Sequence, residues 1–371
     1  MGINFDLHND CSVDQHLLLD DGRLELVVTK IDGSAIHTKV ITGGRLSSNK
    51  GLNLMGGGLS NEALTAEDKM NIELAGKLQL DYLAISFPTS AEDIESARKI
   101  CAIHHYVPKL IAKIERAEVV ASDDVLRAVI NASDGVMVAR GDLGVEIGDE
   151  ALVGVQKKII SLAIKMNRVV ITATQMMESM IENTIPTRAE VMDVANAVLD
   201  GTDAVMLSAE TATGQHPIKV VEAMSRIILG AEKHNADLEP RYRVSHDVEA
   251  IDESIAKACM HLAKHMKDLK AIICLTESGD TPLWMSRISL DVPIIALSPQ
   301  KNTLNRVALF RGVNPFHCEL VGDNAAEVLD NVLANLTQNS ALKEGDTVIV
   351  TLGQRIGTCG YTDTMTIRII D

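Results

Sequence analysis

From about residue 60 to residue 233 the chain alternates short β-rich runs with helix-length stretches, and this rhythm limits its fold more than any other feature. The runs are Asp81–Phe87, Leu110–Glu115, Gly135–Ala139, Val169–Thr174 and Ala204–Ser208. Strands joined through helices pair in parallel and have both faces covered. Local signals agree. Thr187-Arg188-Ala189-Glu190 reads as a capping box ahead of Val191, Val194, Ala195 and Val198 at helical spacing. After Leu152 the pattern recurs through Val155, Ile159, Leu162 and Met166. Aromatic residues make up only 2 % of the chain, so the core must be aliphatic, and the fifteen methionines are read as packing.

An open doubly wound sheet and a (β/α)8 barrel both satisfy this rhythm. Polar, reactive residue types sit at the ends of several runs: Lys113 and Glu115, Arg140 to Asp142, Thr174, and Ser208 to Glu210. Contributions from many strand ends favour the barrel. The expected fold class is therefore α/β: an incomplete (β/α)8 TIM barrel over 60–234, with about five of eight βα units. Before it, over 1–59, the runs Leu17–Leu19, Arg23–Val28 and Ile36–Ile41 and their Asp-Gly and Gly-Gly turns read as a small antiparallel β module. A polar stretch, His234 to His246, reads as a linker. Beyond it, over 235–371, helix Ile251–Met266 and strands Ala271–Leu275, Pro293–Leu297, Val313–His317 and Thr347–Thr351 read as a doubly wound α/β domain.

Composition excludes several classes. The net charge is −16, and no basic stripe with interleaved aromatics appears, so nucleic acid is not an expected partner. The six cysteines are dispersed without a C-x-x-C pair. Cys101, Cys259, Cys274 and Cys318 lie in or beside apolar runs and read as small hydrophobes in a reducing compartment. No run is long enough to span a bilayer and no signal peptide is visible, so the expected location is cytoplasmic. Walker, Rossmann, zincin and nucleophile-elbow motifs are absent.

The strand-end residues carry the chemistry. A strand places Lys113 and Glu115 on one face, as a structural ion pair or a functional one. Asp142 directly follows a strand, in Arg140-Gly141-Asp142-Leu143-Gly144. It reads as a helix N-cap or, with Glu115, as one of two carboxylates of the kind that hold Mg²⁺. Thr174 either contacts substrate or caps its turn. Ser208 and Glu210 read as supports that orient Lys113 or a water. Gly56-Gly57-Gly58 reads as a flexible turn before a phosphate cradle.

Several stretches together resemble pyruvate kinases. They are Ile111-Ala112-Lys113-Ile114-Glu115-Arg116, Met137 to Glu146, Thr172 to Met180, Pro186 to Val191 with Asp193 to Ala197, and Met206 to Ala212. The resemblance runs through essentially the whole chain and is closest to bacterial forms. It implies transfer of a phosphoryl group between phosphoenolpyruvate and ADP, giving pyruvate and ATP. Glu115 and Asp142 would hold Mg²⁺ or Mn²⁺, and Lys113 would neutralise the phosphoryl group in flight. Backbone amides around Arg140, Gly141 and Asp142, with Thr174, would anchor the substrate carboxylate. The 1–59 module resembles part of the family's lid domain, and Lys50 matches a lysine that reaches the ADP phosphates. In the last domain, Thr276, Ser278, Gly279 and Thr281 match a loop that holds a sugar-phosphate or nucleotide effector, although Asp280 stands where relatives usually have a basic residue. Relatives suggest a homotetramer.

The expected departure is at the front, where relatives carry about a third more chain. That part supplies barrel strands one to three and the K⁺ ligands, so those ligands are missing here. The chain is accordingly expected to be the C-terminal two-thirds of such an enzyme, with impaired activity in isolation. The alternatives are an inactive remnant that keeps oligomer or effector contacts, and a metal-dependent lyase on a related barrel.

Overall fold

The computed structural model describes residues 6–48, 50–60, 64–235, 250–322, 324–353 and 360–370. The chain divides into two compact units: Met1–Glu190 with Val205–Val221, and Val191–Ala204 with Glu222–Asp371. Cys359 and residues 236–246 of the expected linker lie outside the described residues.

The first unit opens with an antiparallel sheet of β1 (His16–Leu19), β2 (Leu24–Asp32), β3 (Ala35–Thr42) and β4 (Leu52–Leu54), in the order β3-β2-β1-β4. Its one buried face gathers Leu17, Val28 and Leu54 with Leu7, Cys11 and Leu59. The β1–β2 turn, Asp20-Asp21-Gly22, is left-handed throughout, with φ of 53°, 56° and 79°. Asp and Gly tolerate that region better than most residues.

The βα rhythm then follows as α1 (Ala66–Leu78), β5 (Tyr82–Ile85), α2 (Ala91–Ile103), β6 (Lys109–Ile114), α3 (Ala117–Ala121), α4 (Asp123–Ala132), β7 (Gly135–Ala139), α5 (Arg140–Ile147), α6 (Asp149–Lys165) and β8 (Val169–Ala173). Beyond these come α7 (Arg188–Asp200), β9 (Ala204–Val205), α8 (Ala209–Ala212) and α9 (Pro217–Asn235). The strands form one sheet in the order β5-β6-β7-β8-β9, and the pairs from β5 to β8 are parallel. Every residue of β7 and β8 is buried, as a sheet covered on both faces requires. Among the described residues no strand pairs with the outer edge of β5 or β9. The capping box at Thr187 forms as its residues demand: Thr187 Oγ1 accepts from Glu190 N (3.2 Å) and Glu190 Oε2 accepts from Thr187 N (2.7 Å). Strand β9 is shorter than the run Ala204–Ser208 suggested, with the chain leaving the sheet after Met206 N donates to Thr172 O.

The second unit carries α10 (Ile251–His265), β10 (Leu269–Leu275), α11 (Asp280–Ser286), β11 (Ile294–Ser298), α12 (Lys301–Val307), β12 (Val313–His317), α13 (Ala325–Gln338), β13 (Thr347–Leu352) and β14 (Thr364–Ile369). The sheet order is β12-β11-β10-β13-β14, parallel except for β14. Alternate residues of β10 serve two cores. Ala271, Ile273 and Leu275 pack with Val328, Val332 and Leu336 of α13, while Ile272 and Cys274 pack with Ala256, Cys259 and Met260 of α10. Burial pushes the Cys259 and Cys274 thiols up to about 12, so neither supplies a thiolate at neutral pH. No helix among the described residues is long and apolar enough to cross a membrane.

At the end of the first unit's sheet opposite the strand C-termini, Asp134 ties neighbouring elements together. Its carboxylate accepts from Leu110 N (2.9 Å), Lys109 Nζ (3.1 Å) and Arg98 Nη1 (3.3 Å). Burial alone would raise its proton affinity, but these donors outweigh burial and hold the carboxyl below its ordinary value. A lowered acid contributes stability above its unfolded pKa and loses it as pH falls through the folded one. Asp134→Asn is therefore expected to cost about 1–3 kcal/mol at neutral pH. The deficit should shrink below about pH 4, as followed by urea denaturation across pH.

Candidate active site

The site is built where β6, β7 and β8 end. On β6, alternation turns Lys113 toward the same side as Glu115, which directly follows the strand. Glu115 Oε1 lies 2.5 Å from Lys113 Nζ, and only 1 % of the glutamate side chain is exposed. Oε2 accepts from Phe87 N at 2.7 Å. Oε1 has the ion contact but no aligned hydrogen-bond donor, which leaves a buried anionic atom short of partners. Lys113 Nζ donates to Ser86 Oγ (2.9 Å) and stands 5.9 Å from the centre of the Phe87 ring.

Asp142 enters from the first turn of α5 rather than as its N-cap, a place held by Ala139. Burial raises the proton affinity of both carboxyls. For Glu115, Lys113 opposes this and the Asp142 charge adds to it; for Asp142, Lys113 opposes it and Asp21 adds to it. Two partly desolvated carboxylates that repel each other, with one ammonium group between them as counter-ion, fit a divalent cation of the Mg²⁺ type. Such an ion takes one or two protein carboxylates and leaves its other positions to water and substrate. No group of three or more His, Cys, Asp or Glu suited to a metal occurs among the described residues.

The β module reaches this place through its β1–β2 turn. Asp21 is close enough to Asp142 to act on its charge, and Arg23 Nη2 donates to Glu178 Oε1 (3.2 Å) in the loop after β8. Lys50 Nζ lies 2.7 Å from Asp20 Oδ1. The lysine matched to nucleotide binding thus stands beside the turn that faces Asp142.

Thr174 and Gln175 follow β8 with φ of 66° and 51°. A β-branched residue in this region is strained, at a cost on the order of 1–3 kcal/mol, and persists only where its surroundings impose it. Arg140 imposes it. Its buried guanidinium donates to the carbonyls of Ala173 (3.3 Å), Thr174 (2.8 Å) and Gln175 (3.1 Å). Thr174 Oγ1 accepts from Gly141 N (2.7 Å) and donates to Ala173 O (2.6 Å). The Arg140 side chain therefore shapes the loop, and the Gly141 amide, expected to face an anion, meets Thr174 instead.

Glu210, expected to orient Lys113 or a water, makes its hydrogen bonds among the described residues to backbone amides. Its carboxylate accepts from Ser208 N (2.8 Å) and Met177 N (3.2 Å), tying the loop after β9 to the one after β8. In the Gly56-Gly57-Gly58 turn, Gly58 N donates to the Glu118 carboxylate. In the second unit the loop before α11 is closed on itself. Gly279 N donates to Thr276 Oγ1 (3.0 Å), Ser278 Oγ to Asp280 Oδ2 (2.7 Å), and Thr281 Oγ1 bonds Thr362 Oγ1 (3.0 Å). Sequence reasoning missed Ser86 and Phe87, although they end the run Asp81–Phe87 as the chosen residues end theirs. It also read Asp20 and Asp21 only as turn formers.

Parallel βα units with polar side chains gathered at their C-terminal strand ends are the arrangement of α/β enzymes whose sites lie at that face. Residues 2–221 match the family described as pyruvate kinase, barrel domain, and residues 253–368 match pyruvate kinase, alpha/beta domain. A pyruvate kinase of Buchnera aphidicola subsp. Schizaphis graminum is 51 % identical over 365 residues, covering 98 % of this chain and 76 % of the relative. Pyruvate kinase II of Salmonella typhimurium is 51 % identical over 356 residues (96 % and 74 %), and the Haemophilus influenzae pyruvate kinase 53 % over 342 (91 % and 70 %). The chain belongs to the pyruvate kinase family. Enzymes of this family are phosphotransferases acting on phosphoenolpyruvate and ADP, and they generally use Mg²⁺ and K⁺.

Because Arg140 holds three successive carbonyls through a planar fork, Arg140→Lys keeps the charge but not the geometry. The variant is expected to lose about 1–3 kcal/mol of stability. Hydrogen exchange should also quicken at the amides of Gln175, Met176 and Met177, whereas α10 to α13 should exchange as in the parent.

Proposed function

We propose that the strand ends of β6, β7 and β8 form the centre for phosphoryl transfer from phosphoenolpyruvate to ADP. The observation that carries this reading is the convergence of Glu115, Asp142 and Lys113: one buried and one half-buried carboxylate, both with raised proton affinity, beside one ammonium group. Glu115 and Asp142 would hold Mg²⁺ or Mn²⁺. When bound, that ion neutralises and orients phosphoryl and enolate oxygens.

The chain's own residues do the rest. Lys113 stabilises charge on the migrating PO₃ group as the bond from the enol oxygen breaks and the bond to the ADP β-phosphate oxygen forms. Transfer of this kind needs positioned positive charge rather than covalent help. The strained Thr174 loop, braced by Arg140, presents the site for the substrate carboxylate, with the start of α5 beside it. For its hydroxyl to donate to substrate, Thr174 must release Ala173 O. Lys50 leaves Asp20 to meet the nucleotide phosphates, so nucleotide competes with an internal ion pair. The product enolate then takes a proton at its methylene carbon to become pyruvate. Glu210 and Ser208 act by fixing the loop, not by touching Lys113. We assign the chain to the cytoplasm, consistent with free, buried thiols at Cys11, Cys101, Cys259, Cys274 and Cys318.

The test is pyruvate formation from phosphoenolpyruvate and ADP with Mg²⁺ and K⁺. Lys113→Met is expected to lower kcat by roughly 10²-fold or more, the scale for removing one group that stabilises developing charge. The substitution also leaves the buried Glu115 carboxylate without the Lys113 ammonium, so a loss of stability of about 3–5 kcal/mol is expected beside it, and kcat is read per folded enzyme. A Lys113→Met enzyme as fast as the parent would remove this reading, as would the absence of turnover both in the chain alone and with the strands that relatives carry ahead of it supplied.

A further inference from the structure

One buried charge pair in the first unit is left without a role by the reaction chemistry. Arg116 follows Glu115 directly, and Glu146 stands one turn beyond Asp142 on α5. Arg116 is 4 % exposed and Glu146 1 %. Arg116 Nη1 donates to Glu146 Oε1 (3.3 Å), and Nη2 to Leu59 O (2.5 Å). Glu146 Oε2 accepts from Ala117 N (2.7 Å). The pair therefore joins the two elements that carry the two site carboxylates, one residue from Glu115 and four from Asp142.

The same pair holds the chain that leads from the β module into the first βα unit. Asn53 Nδ2 reaches Glu146 Oε1 (3.5 Å), and Gly56 N donates to Glu146 O (2.9 Å). Glu118, 3.8 Å from Arg116 Nε, accepts from Gly58 N. Gly57 has φ 83°, and a Cβ there would come within 2.8 Å of the Glu118 carboxylate, so the segment lies tight against this cluster.

A buried ion pair is weak evidence for stability, because desolvation offsets its attraction and apolar replacements of similar volume are often neutral. Fixing geometry is the better-supported use here. We infer that Arg116 and Glu146 are positioning residues: they set the separation of Glu115 and Asp142 for the divalent cation and tie the anchoring of the β module to that separation. The inference rests on the metal-binding reading of Glu115 and Asp142. It predicts that removing the pair loosens the cation even where the fold survives, since outer-shell partners of metal ligands affect affinity by roughly 10- to 100-fold.

Mn²⁺ binding to the full chain, followed by the loss of the free-ion electron paramagnetic resonance signal, tests it alongside urea denaturation and exchange at Gly56 to Leu59. The double variant Arg116→Met/Glu146→Leu removes both charges together, and is expected to fold while weakening Mn²⁺ by about 10-fold or more and speeding exchange at 56–59. Arg116→Lys keeps the charge but cannot reach Glu146 and Leu59 O together. It serves if the double variant fails to fold, with a smaller loss of affinity expected in the same direction. Parent-like Mn²⁺ affinity in whichever of these variants folds overturns the inference. If Glu115→Gln leaves Mn²⁺ binding unchanged, or the parent binds none, the metal reading itself is wrong and the inference falls with it. If Glu115→Gln abolishes binding but the pair variants do not weaken it, only the positioning role is lost.

Discussion

The arrangement depends on one electrostatic constraint: Glu115 is an almost fully desolvated carboxylate paired with the Lys113 ammonium, with a second carboxylate acting on its charge. Such a group is costly to bury unless something compensates it. The Phe87 amide and Lys113 do so in part, while Oε1 lacks an aligned donor. The parallel sheet makes this possible. It delivers Glu115, Asp142 and Thr174 from successive strand ends to one side, where the chain leaves regular pairing and side chains can converge.

Around that centre the protein uses polar groups as joints rather than as chemistry. Arg140 folds the Thr174 loop by holding its carbonyls, Glu210 links that loop to the next one, and Arg116 with Glu146 fastens the β module's exit to β6 and α5. Each joint is a charged side chain spent on backbone groups or on a buried partner. The Arg23–Glu178 contact at the β1–β2 turn is exposed by contrast, so solvent screens it and it contributes little stability.

Much of this was legible from the residues. Continuous apolar runs such as Gly135–Ala139 announced buried parallel strands, and Thr187 to Glu190 announced a helix start, because both signals are local. Strand β14 was not read. Its alternation of Met365, Ile367 and Ile369 is that of an edge strand, and its antiparallel pairing to β13 is a tertiary choice. Lys113, Glu115, Asp142 and Thr174 were nameable because reactive types at strand ends are conspicuous. Their supports were not, because the partners are backbone groups: Arg140 meets carbonyls and Glu210 meets amides, and a sequence does not display where its backbone turns. Arg116 and Glu146 look like ordinary surface charges until β6 and α5 come together.

The most direct measurement is anomalous diffraction from crystals of the protein grown with Mn²⁺. The account expects one strong peak bridging the carboxylates of Glu115 and Asp142, beside the ammonium group of Lys113. A peak at any other place, or these carboxylates turned apart with no ion between them, would contradict it.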